Sequence, residues 1–163
     1  MDNLAKDLKK QAQELEEFLA NDALDIIEIE GLNHIEEAFD NEGFTDSSLE
    51  KWKPRKTTNK RGRDITRYKT NRRGKAGQLS QYGRQNKGRA ILTGHDTGGN
   101  KLRHSYRADK VKDGIEFHTD KEYAERHNEG TDGMPKRQHI GESEALNQKI
   151  HKKVTQHVDK ILK

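Results

Sequence analysis

Residues 53–89, "KPRKTTNKRGRDITRYKTNRRGKAGQLSQYGRQNKGR", constrain the fold of this chain more than any other segment. They carry 14 Lys/Arg against the single acid Asp64, and Ile65 and Leu79 are their only aliphatic side chains larger than Ala. Gly62, Gly74, Gly77, Gly83 and Gly88 punctuate the run. Ordering a residue costs about 1–2 kcal/mol of backbone entropy, and this stretch has too little apolar surface to offset that alone. The core must therefore come from the flanks, 1–52 and 90–163. The middle reads as a long basic loop or arm, of a length that is either functional or disordered.

The flanks differ in charge. Residues 1–52 carry 4 Lys/Arg and 15 Asp/Glu, and residues 90–163 carry 14 and 12, so segment charges of −11, +13 and +2 underlie the net +4. With 28% apolar and 37% charged residues in 163, the chain is lean for one domain, and a small core is expected, with part of the chain ordered only in an assembly. There is no cysteine, hence no disulfide framework and no thiolate site. The amphipathic, charged start and the lack of a long apolar run predict neither a signal peptide nor a membrane span, and a protein made and kept in a cytosol.

In the first flank Leu4, Leu8, Leu15, Phe18 and Leu19 recur at helical spacing, with Asp2 or Asn3 as N-cap. A second run, Ala23, Ile26, Ile27, Ile35, Ala38 and Phe39, has Asn21 or Asp22 as its cap, "DNEGF" as its end and a bend at Gly31. The acids read mostly as solvated polar faces; the alternative is that they meet a neighbour's basic segment. Trp52, in "KWKP", reads as an anchor packing the following loop onto the core. In the last flank, 90–93 is a short apolar stretch. Leu102 to Arg107 and Gly114 to Thr119 read as strands joined at Asp113-Gly114, with Val111, Ile115 and Phe117 inward. Leu146, Ile150, Val154, Val158 and Ile161 step by about one helical turn after Ser143, which predicts a capped amphipathic helix over about 142–162, lying across the sheet or against the first helices.

Evidence of chemistry is thin. "GHDTGG" lacks the Lys-Ser/Thr of a P-loop and the spacing of a dinucleotide fingerprint. None of the eight histidines forms a metal-binding HExxH, no Ser sits in a nucleophile elbow, and surface histidines are the default reading. A metal-dependent nuclease using the His-Asp pairs "HD" and "HTD" is the enzymatic alternative. The bases of the arm, Lys53, Arg55, Lys56, Lys60, Arg61, Arg63, Arg67, Lys69, Arg72, Arg73, Lys75, Arg84, Lys87 and Arg89, interleave with Tyr68 and Tyr82 as in single-strand or phosphate-backbone binders. Docking on an acidic protein surface, including a neighbouring subunit's, suits the same charge. In "YAERHNEGTDGMPKRQHIG", Tyr123 and Ala124 are expected to pack a short turn on the sheet. Gly130 and Gly133 reverse the backbone, and Pro135 keeps Met134 extended. Arg137 is placed to pair with a carboxylate of the helical start.

The order of these features resembles the phage virion morphogenesis family, also called the tail completion or Mu G-like family. Trp52 and Pro54 match its Trp-Pro element. Ile91, Leu92 and Thr93, with Thr97, Gly98, Leu102 and Ser105, match "I-L-T…T-G-x-L-x-x-S" with one extra residue. Tyr123, Ala124, His127 and Gly130 match "Y-A-x-x-H-x-x-G"; Pro135, Arg137, Ile140, Gly141 and Ser143 match "P-x-R-x-h-h-G-x-S", with His139 at a usually apolar position. The likeness spans about residues 25–162. It implies a non-enzymatic virion protein without cofactor or metal, at the tail end or neck. Its subunits would form a ring, and its partners would be the tail tube or tail terminator and the head–tail connector. Non-specific DNA contact through the arm is the alternative. The expected architecture is a single α+β domain over 1–163: a helical N-terminal segment, a long basic loop, a small antiparallel sheet and a long C-terminal amphipathic helix.

Overall fold

The structure, a computed structural model, describes residues 2–92, 101–112 and 114–163, and side chains from Leu4 onward. The expected caps Asp2 and Asn3, the "GHDTGG" turn, Thr93, Gly98 and Asp113 of the hairpin turn lie outside those descriptions.

The chain begins with α1 (Asp2–Glu17), passes through a single π-turn at Phe18–Asp22, and continues as α2 (Ala23–Asp40). Asn21 and Asp22 were expected to cap a new helix. Asp22 instead has helical backbone angles and makes no capping bond, and the Asn21 amide donates back to the Glu17 carbonyl at 3.1 Å. One extra residue in the turn is absorbed by the Ala23 N–H donating to the Phe18 carbonyl, so no break is needed. Phe18 is thereby buried and stacks on His157 of the last helix, with ring centroids 4.9 Å apart.

Along α2 the buried positions are Ala23, Glu30, Gly31, His34, Ile35, Ala38 and Phe39, a stripe at helical period. The helix runs unbroken through Gly31. A Cβ there would stand 2.1 Å from Cζ of Phe117, so the glycine is where a strand's ring lies directly on the helix backbone. Replacing Gly31 with Val is expected to destabilise the fold by about 1–3 kcal/mol, because the ring has packed neighbours behind it. A urea midpoint equal to wild type would contradict this packing.

Glu30 corrects the view of the acids as a solvated face, since it is 2% exposed. An unpaired buried carboxylate would be costly. Here Lys149 lies 3.0 Å away and Lys153 also bonds it, both from the C-terminal helix, and these partners hold its pKa below the ordinary carboxylate value.

After α2 come β1 (Gly43–Thr45) and β2 (Leu49–Lys51), a small antiparallel hairpin in which Phe44 faces Glu50. The arm follows. It is less bare than its composition implies: Thr58 bridges Asp64, Lys69 bridges Leu79, and a short helix α3 (Gln81–Asn86) is capped by Ser80, which accepts from the Gly83 N–H at 2.9 Å. Leu102 to His104 form a 3-10 turn where a strand was expected; its bonds are local and Leu102 is buried beneath it. The strands proper are β3 (Arg107–Val111) and β4 (Gly114–His118), paired from Arg107–His118 to Val111–Gly114. Val111, expected to face inward, is 44% exposed because it is the last residue of β3, at the turn end of this hairpin and paired with Gly114; Ile115 and Phe117 are half-buried.

A short helix α4 (Ala124–Glu129) leads through the 130–143 segment into α5 (Glu144–Ile161). Ser143 caps α5 by accepting from the Leu146 N–H at 3.1 Å and donates to the Thr45 carbonyl at 2.8 Å. Asp46 of the first hairpin supplies a second cap, accepting from the Glu144 N–H at 2.8 Å. The apolar stripe of α5 lies along α2 and the end of α1, half-buried throughout, and not across a sheet. Among the described residues the architecture is α+β, with α2 packed along α5 and two small antiparallel hairpins.

Candidate functional site

One cluster gathers residues from distant parts of the chain. Ile35, Ala38 and Phe39 of α2 pack with Trp52, Ile91, Leu102 and Ala124, and Leu92, Tyr106, Phe117 and Ile140 close its edges. Trp52 meets Phe39 edge to face at 5.6 Å, and its indole Nε1–H donates to the Gln138 carbonyl at 2.6 Å. Leu92 holds a positive φ of 60°, a backbone state that leucine seldom adopts.

His139 occupies the centre of this joint and is fully buried. Its Nδ1 lies 2.8 Å from the Arg137 carbonyl, which can only accept, so Nδ1 carries the proton and Nε2 accepts from the Tyr106 hydroxyl at 2.8 Å. Burial pushes the histidine's pKa down and the tyrosine's up to about 12, which keeps both neutral. Asn128 fastens the same segment, its Oδ1 accepting from the N–H groups of His139 at 3.0 Å and Ile140 at 3.2 Å. The default of surface histidines fails here and at His34, which is 6% exposed with its ring edge-on to Phe44. Both have come inside because aromatic neighbours supply apolar contact and, at His139, both ring nitrogens are satisfied.

The residues picked out around 123–141 divide. Ala124 is buried, His127, Pro135 and Arg137 are half-buried, but Tyr123 and Gly141 are exposed, so Tyr123 does not pack on the sheet. Gly130 has φ 74°, and a Cβ there would come 2.5 Å from the Lys136 amide, so this turn excludes side chains. Among the described residues Arg137 forms no ion pair with a carboxylate. Its backbone N–H donates to the His127 carbonyl at 2.7 Å and its Nη2 to the Lys53 carbonyl at 3.4 Å; its Nε is buried without a hydrogen-bond partner among the described residues. Burial, then the neighbouring Arg55 charge, lower its pKa, with Glu42 opposing. Burial likewise lowers His127.

The arm is attached to this joint at its root. Arg55 donates to the Ala90 carbonyl, and the Ile91 N–H donates to the Glu42 carboxylate at 2.6 Å, tying both ends of the arm together. Within the arm, closed at its root by Glu42 and Ile91, runs a groove of about 730 Å³ lined by Arg55, Lys69, Lys87, Arg89, Tyr68 and Tyr82 among others, with Asp64 also on its wall. The two tyrosines are in contact, with centroids 5.9 Å apart, so they brace the arm as well as facing the groove. Pro54 and the bases Lys53, Lys56, Lys60, Arg61, Arg63, Arg67, Lys69, Arg72, Arg73, Lys75, Arg84 and Lys87 are exposed, while Arg55 and Arg89 are half-buried. Among the described residues no ion pair joins any of these bases to a carboxylate. No group of three His, Asp or Glu among the described residues is placed to hold a metal ion, and no described helix is long and apolar enough to cross a membrane.

Sequence reasoning missed Tyr106, Asn128, Glu42 and the inward role of His139. The polar residue at the usually apolar place in "PKRQHIG" was the available signal for His139. Asn128 and Glu42 gave none, since each acts on backbone groups brought near only by folding.

No family model, curated protein or solved structure matches the chain.

Proposed function

We propose that this chain is a structural subunit of a phage or prophage virion, acting at the tail end or neck to complete the tail and join it to the head. The supporting observation is that all four motif segments behind the tail-completion resemblance contribute to one core cluster: Trp52 from the first, Ile91, Leu92 and Leu102 from the second, Ala124 from the third and Ile140 from the fourth. These motifs are therefore accounted for by packing and backbone hydrogen bonds, as expected where the fold is a scaffold for contacts made by its surface. In this reading the protein turns over no substrate and needs no cofactor. Copies associate around an axis, the tail tube or terminator and the connector are its partners, and the virion is its location.

The charge distribution supports self-association. Exposed carboxylates run along the acidic helices, and among the described residues the arm's cations form no ion pair with a carboxylate. A light-scattering series on the full chain, at low and high salt, tests this. The expected result is a discrete oligomer at low salt that dissociates as screening increases. A strict 18.8 kDa monomer at every concentration would overturn the self-assembling reading.

The second reading is a nucleic-acid-binding module, favoured by the groove in which Tyr68 and Tyr82 stand among unpaired bases. It predicts a gain of mass only with DNA, falling steeply with salt as phosphate contacts are lost.

A further inference from the structure

A second cavity lies at the arm's root. It is a cup of about 510 Å³ between residues 53–56 and 133–137. Four cations line it, Lys53, Arg55, Lys56 and Arg137, with no carboxylate, over apolar surface from Met134 and Pro135. Arg137 is the telling member: it is half-buried, with Nε lacking a hydrogen-bond partner among the described residues. The four like charges repel one another, and an anionic group with an apolar body would relieve that repulsion while covering Met134 and Pro135.

The chain carries a surface of that kind. Within the π-turn Leu19 is 51% exposed; Glu16, three residues before it on the same side of the helix, and Glu17, the last residue of α1, are exposed too. No ion pair reaches either glutamate among the described residues, nor their neighbour Asp22, whereas Glu14, Asp25, Glu30, Glu36, Glu37 and Asp40 are all paired. Single π-turns within α-helices recur at functional positions, and this one abuts the exposed leucine.

Knob and cup cannot meet within one molecule. The knob adjoins the first residue of α2, and the cup follows the hairpin at its last; the 18 residues between span about 27 Å at 1.5 Å per residue. We propose that the Glu16–Glu17–Leu19 knob of one copy seats in the Lys53–Arg55–Lys56–Arg137 cup of the next. Knob and cup are different patches, so the contact is head-to-tail and generates a closed ring when its rotation closes. This inference rests on the self-assembling reading and names the surfaces that would carry it.

The test uses two exposed-residue variants of the full chain, K53E/K56E and E16K/E17K, with Arg137 left in place because it braces the joint. At low salt each variant alone is expected to fall to the 18.8 kDa monomer while melting like wild type. Mixed in equal amounts they are expected to assemble again, as alternating copies and with the wild-type mass where the ring has an even number of subunits, because each reversed surface then meets its complement and each unchanged surface keeps one. Wild-type mass in either variant alone would overturn the knob-and-cup contact and leave the self-assembling reading standing, as would failure of the mixture to assemble. A monomeric wild type would overturn both.

Discussion

Truncating Trp52 to alanine is expected to cost about 3–5 kcal/mol, a large share of the stability of a domain this size. The side chain is 7% exposed and is the link between the end of α2, through Phe39, and the segment before the last helix, through its bond to the Gln138 carbonyl. Alanine would leave a cavity and an unsatisfied carbonyl together, and the walls cannot collapse readily because they belong to four separate segments. Urea unfolding followed by far-UV circular dichroism measures this. A loss below about 1 kcal/mol would mean that the tryptophan is peripheral to the core.

Mild acid is expected to have a comparably large effect. His34, His127 and His139 are all shifted below the ordinary histidine value of 6.5, chiefly because burial disfavours the charged ring. Arg137 adds to the shift at His127, and Lys149 to that at His34, where Glu37 opposes. In the unfolded chain these rings take up protons near 6.5; in the folded chain they resist. The unfolded state therefore binds more protons as pH falls. The stability from keeping the rings neutral is complete above 6.5 and is lost progressively below it. Each ring contributes at most about 1.4 kcal/mol per pH unit, so the three together set a limit of about 4. Glu30 adds a later loss: its lowered pKa contributes stability that is full above the ordinary 4.5 and declines beneath it. Urea midpoints at pH 7.5 and 5.5 should differ clearly, with the lower pH weaker. Equal midpoints would mean that the rings accept protons within the fold.

Among the described residues the buried histidines and the exposed charges of the proposed contact meet only at Arg137, which lines the cup and bonds the His127 carbonyl. The buried histidines bear on whether the subunit stays folded, whereas Lys53, Lys56, Glu16 and Glu17 are exposed and, in the contact proposed above, bear on whether copies associate. A pH of 5.5 that dissociates an oligomer without loss of helix signal would therefore implicate the surface contact, and loss of both together would implicate the joint.

Much of the local structure was legible because its causes are local. Ser143 before a stripe stepping by about one turn makes a capped helix wherever it occurs, and Gly114 closes a hairpin because its φ of 154° costs glycine little. The basic arm was legible as an arm because no rearrangement gives it apolar surface. Its short bridges and α3 were not, since they rest on single side chains such as Ser80 accepting from a nearby N–H.

What the amino-acid order alone determined is the partition: acidic helices, a basic arm, a balanced end, and an α+β content spread over both flanks. What only the tertiary structure decided is the fate of particular polar residues and glycines. Glu30 is buried because two lysines 119 and 123 positions away arrive beside it, Gly31 is a contact surface because Phe117 lies on it, and His139 is a core residue because Tyr106 and the Arg137 carbonyl satisfy its ring. Asn21 and Asp22 look like a helix start, yet the helix runs through them because burying Phe18 against His157 favours continuity over the cap. In each case the deciding partner is far away in sequence, and the free energy of burial with that partner exceeds the local preference.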